Sequence, residues 1–177
     1  MEESSTPVVT TRSVGVRYGL IQAVISIAYF LVLTVAGVDM TSGIGRWASI
    51  IFYIAIIYLA HKNYKDQGDG FMSYGQGMSI TFWLGLVCSL IYSAFFYGYI
   101  KLIDSSFVET IKNNEIEKMQ EKGMSDEQID QAMGFAAPFM TPEAMLIFGL
   151  VFGIIFILIV GLVISAITQH KNPQAFD

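Results

Sequence analysis

Charge is scarce in this chain and unevenly placed. Of 177 residues only 14% are Asp, Glu, Lys or Arg, against roughly 25% in ordinary soluble domains. Three stretches, 18–38, 71–100 and 144–168, carry no charge at all. A helix of about 20 apolar residues crosses a bilayer core, so each stretch is long enough to span. A soluble fold of this size could bury one such helix, hardly three. The helices also lack any Asp, Glu, Lys or Arg near their midpoints. Proton relays and ion-coupled carriers usually keep one there, so a pump is disfavoured. Cysteine is nearly missing: Cys88 is the only one, so no intramolecular disulfide can form and the redox compartment is not indicated.

Several chemical motifs are lacking too. The stretch HKNYKDQGDGFMSYGQG at 61–77 brings Gly68, Gly70, Gly75 and Gly77 close together. A P-loop needs Gly-x4-Gly-Lys-Ser/Thr after a strand; Gly70 and Gly75 have the spacing, but Gln76 stands where lysine is required. The dinucleotide fingerprint Gly-x-Gly-x-x-Gly is absent from it. His61 and His170 lack further ligands at metal-site spacing, and the methionines at 119, 124, 133, 140 and 145 form no Met-x-Met pattern. No positioned acid–base pair suggests nucleophilic catalysis. The sequence therefore predicts no cofactor, no metal, no nucleotide or nucleic-acid partner, and no enzyme activity. An enzyme would need carboxylates of 104–141 to meet in a cleft.

What the chain does have is an all-α, polytopic membrane pattern. A polar N-terminal tail is expected over 1–13, then four transmembrane helices over about 14–38, 46–62, 74–103 and 142–169, and a tail over 170–177. The second helix is the weakest, with an apolar run of only 14 residues, 47–60; Arg46, His61 and Lys62 are expected to snorkel from its ends. The N-terminus reads as a retained anchor, since Glu2 and Glu3 replace a basic leader and no Ala-x-Ala-type site follows. Between helices three and four, residues 104–141 are expected to form a helical hairpin outside the cytoplasm. Gly123 is its candidate C-cap, and Ser125-x-x-Gln128 is a capping-box pattern. Residues 104–130 hold eight acids and three lysines. Glu109, Glu115, Glu117, Glu121, Asp126, Glu127 and Asp130 are candidate partner-docking acids. Cations near the helix ends number five on one side and two on the other, which predicts both termini in the cytoplasm. Trp47, Trp83, Tyr97 and Tyr99 are candidate interface anchors.

Small residues recur at helical spacing. Gly77, Thr81, Gly85, Ser89 and Ser93 fall at every fourth position of helix three. Helix four offers Gly149, Gly153, Gly161 and Ser165; helix one offers Gly15, Gly19 and Ala23. Such ladders let helices approach closely. Gln22 and Ser26, four apart in helix one, form a possible polar patch. The tripeptide HKN closes two helices, at 61–63 and 170–172, as cations suit a helix C-terminus.

RYGLIQAVISI at 17–27, the stretch AHKNYKDQGDGFMSYGQGMSITFWLGLV, and FYGYIKLIDSSFVE at 96–109 together resemble a family of small Bacteroidota membrane proteins, domain of unknown function 4199. The resemblance covers about 14–169 and implies four helices with no assigned activity and no catalytic residues. Ser105 follows Asp104 where relatives often have Asp-Pro, which touches only the turn after helix three. The resemblance also implies a neighbourhood in which such proteins are often encoded near membrane polyprenyl-phosphate glycosyltransferases, an association and not a mechanism. The expected function is a non-enzymatic inner-membrane accessory or scaffold subunit of a larger cell-envelope complex, in contact with membrane lipids and other envelope proteins. The alternative is a small transporter or lipid-handling protein, assisting such a glycosyltransferase, with a polar cavity lined by Gln22, Ser26 and the helix-three ladder.

Overall fold

Thr10 starts the first helix by a reciprocal cap. Its side chain accepts from the Ser13 amide at 3.1 Å, and its own amide donates to Ser13 Oγ at 3.3 Å, so two of the helix's free donors are satisfied. Helix α1 therefore runs Thr11–Val35, starting three residues before the expected position. The computed structural model describes residues 9–38 and 43–170. Expectations for the tails 1–8 and 171–177, and for the link at 39–42, lie outside the described residues. After α1 come α2 (Gly43–Gln67), α3 (Tyr74–Leu102), α4 (Phe107–Glu121), α5 (Asp126–Ala136), a 3-10 turn (Ala137–Phe139) and α6 (Pro142–Thr168). The only other pairing among the described residues is an isolated antiparallel bridge, Met72 with His170.

Three helices, α1, α3 and α6, are long and apolar enough to cross a membrane, not the four expected. Their apolar side chains do not collect on one face. Leu20, Val24 and Val32 on α1, and Ile147, Val151, Ile159 and Val163 on α6, are exposed while other apolar residues of the same helices are buried. Exposed apolar surface of this extent suits contact with lipid. The protein is an all-helical, multi-pass membrane protein. Helix α2 has the length, 25 residues, but Lys62, Lys65 and Asp66 fall within it. It runs five residues past the expected end.

The described residues divide into two compact units, one of those up to Ile91 together with those from Phe152 onward, the other Tyr92–Val151; the boundary falls within α3 and within α6. The first unit holds the core, in which Ile56, Ile57 and Ala60 of α2 join Ile80, Leu84 and Cys88 of α3, Ala23 of α1 and Ile157 of α6. Helix α1 meets α3 backbone to backbone. A Cβ placed on Gly19 would lie 2.8 Å from the Leu84 carbonyl oxygen, and one on Gly15 2.7 Å from that of Ile80.

In the second unit Asp104 organises the turn after α3, accepting from the Ser106 amide at 3.1 Å and its hydroxyl at 2.7 Å. Gly123 ends α4 with φ +75°, a conformation that favours glycine. Ser125 and Gln128 then cap α5 reciprocally, at 2.9 and 3.4 Å. Replacing Ser125 with alanine is expected to cost about 1 kcal/mol of local stability. The check is amide exchange, which should quicken in α5 and stay unchanged in α1. Tyr97 donates to Glu143, whose carboxylate also pairs with Lys101 at 2.8 Å. Tyr99 does not share that position. It is buried, with its ring edge-on to Phe107 at 5.8 Å, so it packs against α4 rather than serving as an interface anchor.

Candidate functional site

The glycine-broken stretch after α2 builds a polar node rather than an open loop. Of its four glycines only Gly70 has positive φ, +82°; the Asp69 carboxylate accepts from the Phe71 amide across this turn at 3.0 Å. Ser73 and Gln76 form another reciprocal cap, at 2.7 and 3.2 Å, so α3 begins at Tyr74 and both Gly75 and Gly77 are helical. Met72 and His170 exchange backbone hydrogen bonds of 2.8 Å each way, and the Phe71 ring stacks on the His170 ring at 5.2 Å. The chain entering α3 is thereby clamped to the chain leaving α6.

His61 sits inside this clamp. It is 0% exposed, so the expected snorkelling does not occur; only Lys62 beside it reaches solvent. Its Nε2 lies 3.0 Å from the Gly77 carbonyl oxygen and its Nδ1 2.8 Å from Thr168 Oγ1. A carbonyl can only accept, so Nε2 carries the proton. Thr168 Oγ1 also lies 2.7 Å from the Ile164 carbonyl. With a neutral ring, the threonine hydroxyl donates to Nδ1. With a charged ring, Nδ1 donates to Oγ1 and the hydroxyl turns to Ile164. Either state is satisfied by moving one hydrogen. Lys65, one turn along α2, donates to the Thr168 carbonyl at 3.0 Å. Both ring nitrogens are occupied by protein, so His61 offers no free lone pair to a metal. Among the described residues no group of three or more His, Cys, Asp or Glu could hold one.

From the node the two small-residue ladders run antiparallel, each stepping by four against the other. Gly77 faces Ser165, Thr81 faces Gly161, Gly85 faces Ile157 and Ser89 faces Gly153 in the first unit; Ser93 faces Gly149 in the second. The gap in the α6 ladder is filled by Ile157, a large side chain lodged over Gly85 with its Cγ2 3.2 Å from where a Cβ would stand. The seam is tightest near the node, where Gly77, Thr81, Gly161 and Ser165 are buried, and loosest at Gly149, which is exposed.

The polar patch is larger than the sequence suggests. Gln22, 1% exposed, donates through Nε2 to Ser26 Oγ at 3.1 Å. Ser26 Oγ is 3.4 Å from the Tyr53 hydroxyl, and Tyr53 packs against the core cluster that holds the buried Cys88. Among the described residues Gln22 Oε1 has no hydrogen-bond partner. Tyr53 and Cys88 carry no signal in the sequence, since each lies in an apolar run on another helix.

The candidate docking acids lie on α4 and α5. Glu109, Glu117, Glu121, Asp126, Glu127 and Asp130 are exposed, whereas Glu115 is half-buried and pairs with Lys118 at 3.3 Å. The structure thus buries the seam except at Gly149 and Gly153, buries Gln22 and half-buries Ser26, and leaves six of the seven acids on the surface.

Residues 17–169 match the family described as "Protein of unknown function (DUF4199)", and the chain belongs to that family. Comparison with the curated proteins and with the solved structures returned no match.

Proposed function

We propose that this family member is a non-enzymatic accessory or scaffold subunit of a larger envelope complex, held in the inner membrane by a four-helix bundle. In this reading α2 is the fourth span. Trp47, Ile51, Ile54 and Leu59 are exposed along it, as they are on the other three, and its cationic end is tied to α6 through Lys65. Both termini and the node then face the cytoplasm, and α4 and α5 stand in the periplasm.

The observation that carries the scaffold reading is the division of polar groups. Those of the apolar helices are largely buried between helices, and those at the surface are acids on a capped helical hairpin. A transporter or lipid-handling protein needs a solvated cavity lined by Gln22, Ser26 and the α3 ladder. Gln22, Thr81, Ser89 and Ser93 are instead buried and Ser26 is half-buried, which favours the scaffold reading over that alternative. The acids of α4 and α5 suit a basic surface on a neighbouring envelope protein.

The test is gentle detergent extraction followed by mass analysis. A stoichiometric co-purifying protein is expected, and cross-linkers placed at Glu121 or Asp130 should capture it. A lone monomer under conditions that preserve other envelope complexes would count decisively against the proposal.

A further inference from the structure

The segment that joins the acidic hairpin to α6 has a character of its own. Residues 131–142 read QAMGFAAPFMTP and carry no charge. Two phenyl rings on it are open: Phe135 is 83% exposed and Phe139 54%. The acids of α5, Asp126, Glu127 and Asp130, all lie in its N-terminal half, and its remaining residues up to Ala136 have none. The helix is thus polar at the end away from α6 and bare at the end leading into it.

The depth of this bare end follows from α6. That helix has 27 residues, about 40 Å at 1.5 Å per residue, against a hydrocarbon core of about 30 Å. Roughly 5 Å therefore lies in each headgroup zone if the helix is centred. Phe148 is six residues beyond Pro142, about 9 Å along the axis, so its ring is inside the hydrocarbon boundary. Phe139 packs edge-on against Phe148, ring centroids 5.1 Å apart. Glu143, paired with Lys101 at 2.8 Å and both half-exposed, marks the polar level just above. Leu102, which ends α3 next to that lysine, and Ile103 just after it are exposed too.

We infer that the Gly134–Met140 segment is a membrane-interface wedge, with Phe135 and Phe139 seated among the lipid acyl chains of the leaflet on that side. The occupant of this exposed apolar surface is lipid because the surface is continuous with the lipid-facing side of α6. The wedge holds the short hairpin upright, with its acids turned from the bilayer. The inference rests on α6 being a membrane span and not on the scaffold role, so a missing partner protein leaves it standing.

The test is site-directed spin labelling of the full chain in phosphatidylcholine vesicles. Labels at Phe135→Cys and Phe139→Cys, in a Cys88→Ala background, are compared with Ile159→Cys in mid-α6 and Glu121→Cys on α4. Both wedge labels should favour collision with oxygen over a water-soluble nickel chelate several-fold more than the Glu121 label does. Equal nickel access at Phe135 and Glu121 overturns the inference. So does shielding from both reagents, which would mean a protein cover. Should the Cys88→Ala background not fold, Phe135→Trp in the otherwise native chain serves. Its added fluorescence should be quenched by lipid brominated near the headgroup and not by aqueous acrylamide; the reverse pattern overturns the inference.

Discussion

Replacing Gly161 with leucine is expected to remove most of the folded protein. A Cβ at this position would meet the Thr81 side chain, with Thr81 Cβ only 2.9 Å away. Thr81 cannot swing aside cheaply. It is β-branched, which limits its rotamers in a helix, and its hydroxyl donates to the Gly77 carbonyl at 3.0 Å. Relief must come from moving α6 off α3, which would also unseat Ser165 from Gly77 and Ile157 from Gly85. Ordinary overpacking costs about 1–3 kcal/mol; separating a whole seam costs more, against a total stability of about 5–15 kcal/mol. Gly161→Ala should fall between wild type and Gly161→Leu, and Thr81→Ala should restore part of what Gly161→Ala loses, because the two side chains share one space. Gly98→Leu is the control: it lies on α3, and among the described residues nothing stands within 4 Å of its Cβ position. The measurement is the monodisperse fraction after heating in detergent. Equal loss for Gly98→Leu and Gly161→Leu would mean that bulk on a glycine, not the seam, sets the outcome.

The seam was legible in the sequence because small residues at a spacing of four are a local pattern, and local patterns survive without knowledge of the partner. The register was not. Nothing in the α6 sequence says that Ile157 completes the ladder, since only the facing glycine at 85 makes room for it. The same division holds elsewhere. Gly123 and the Ser125–Gln128 cap involve neighbours in the chain and are visible as a motif. Three uncharged stretches predict three spans by length alone, whereas α2 mixes an apolar run with a charged end. That end reads as a loop until Lys65 is seen to reach Thr168. Gln22 and Ser26 share one helix and could be paired by eye. Tyr53 joins them from another helix, and no spacing records it.

His61→Leu should be the most damaging change outside the seam, and His170→Ala one of the mildest, although both histidines begin the same tripeptide. At 61 the imidazole joins three helices: it rides on α2, donates to α3 at Gly77 and meets α6 at Thr168. Leucine has similar bulk but no polar atom. It forfeits two buried hydrogen bonds, about 1 kcal/mol each. It also crowds an apolar branch against a threonine hydroxyl and a carbonyl, for a total of about 3 kcal/mol. His61→Gln keeps a donor and an acceptor on a flexible stem, so it should recover a good part of the loss. At 170 the bonds to Met72 come from the backbone and outlast any side-chain change. Among the described residues, what alanine there loses is the stacked ring of Phe71, about 0.5–1.5 kcal/mol. Thermal midpoints of the three variants in one detergent decide it. If His61→Gln is as unstable as His61→Leu, imidazole shape rather than hydrogen bonding holds the node. If His170→Ala matches His61→Leu, the clamp depends on the Phe71 stack, and His61 is a bystander in a site organised by its neighbour.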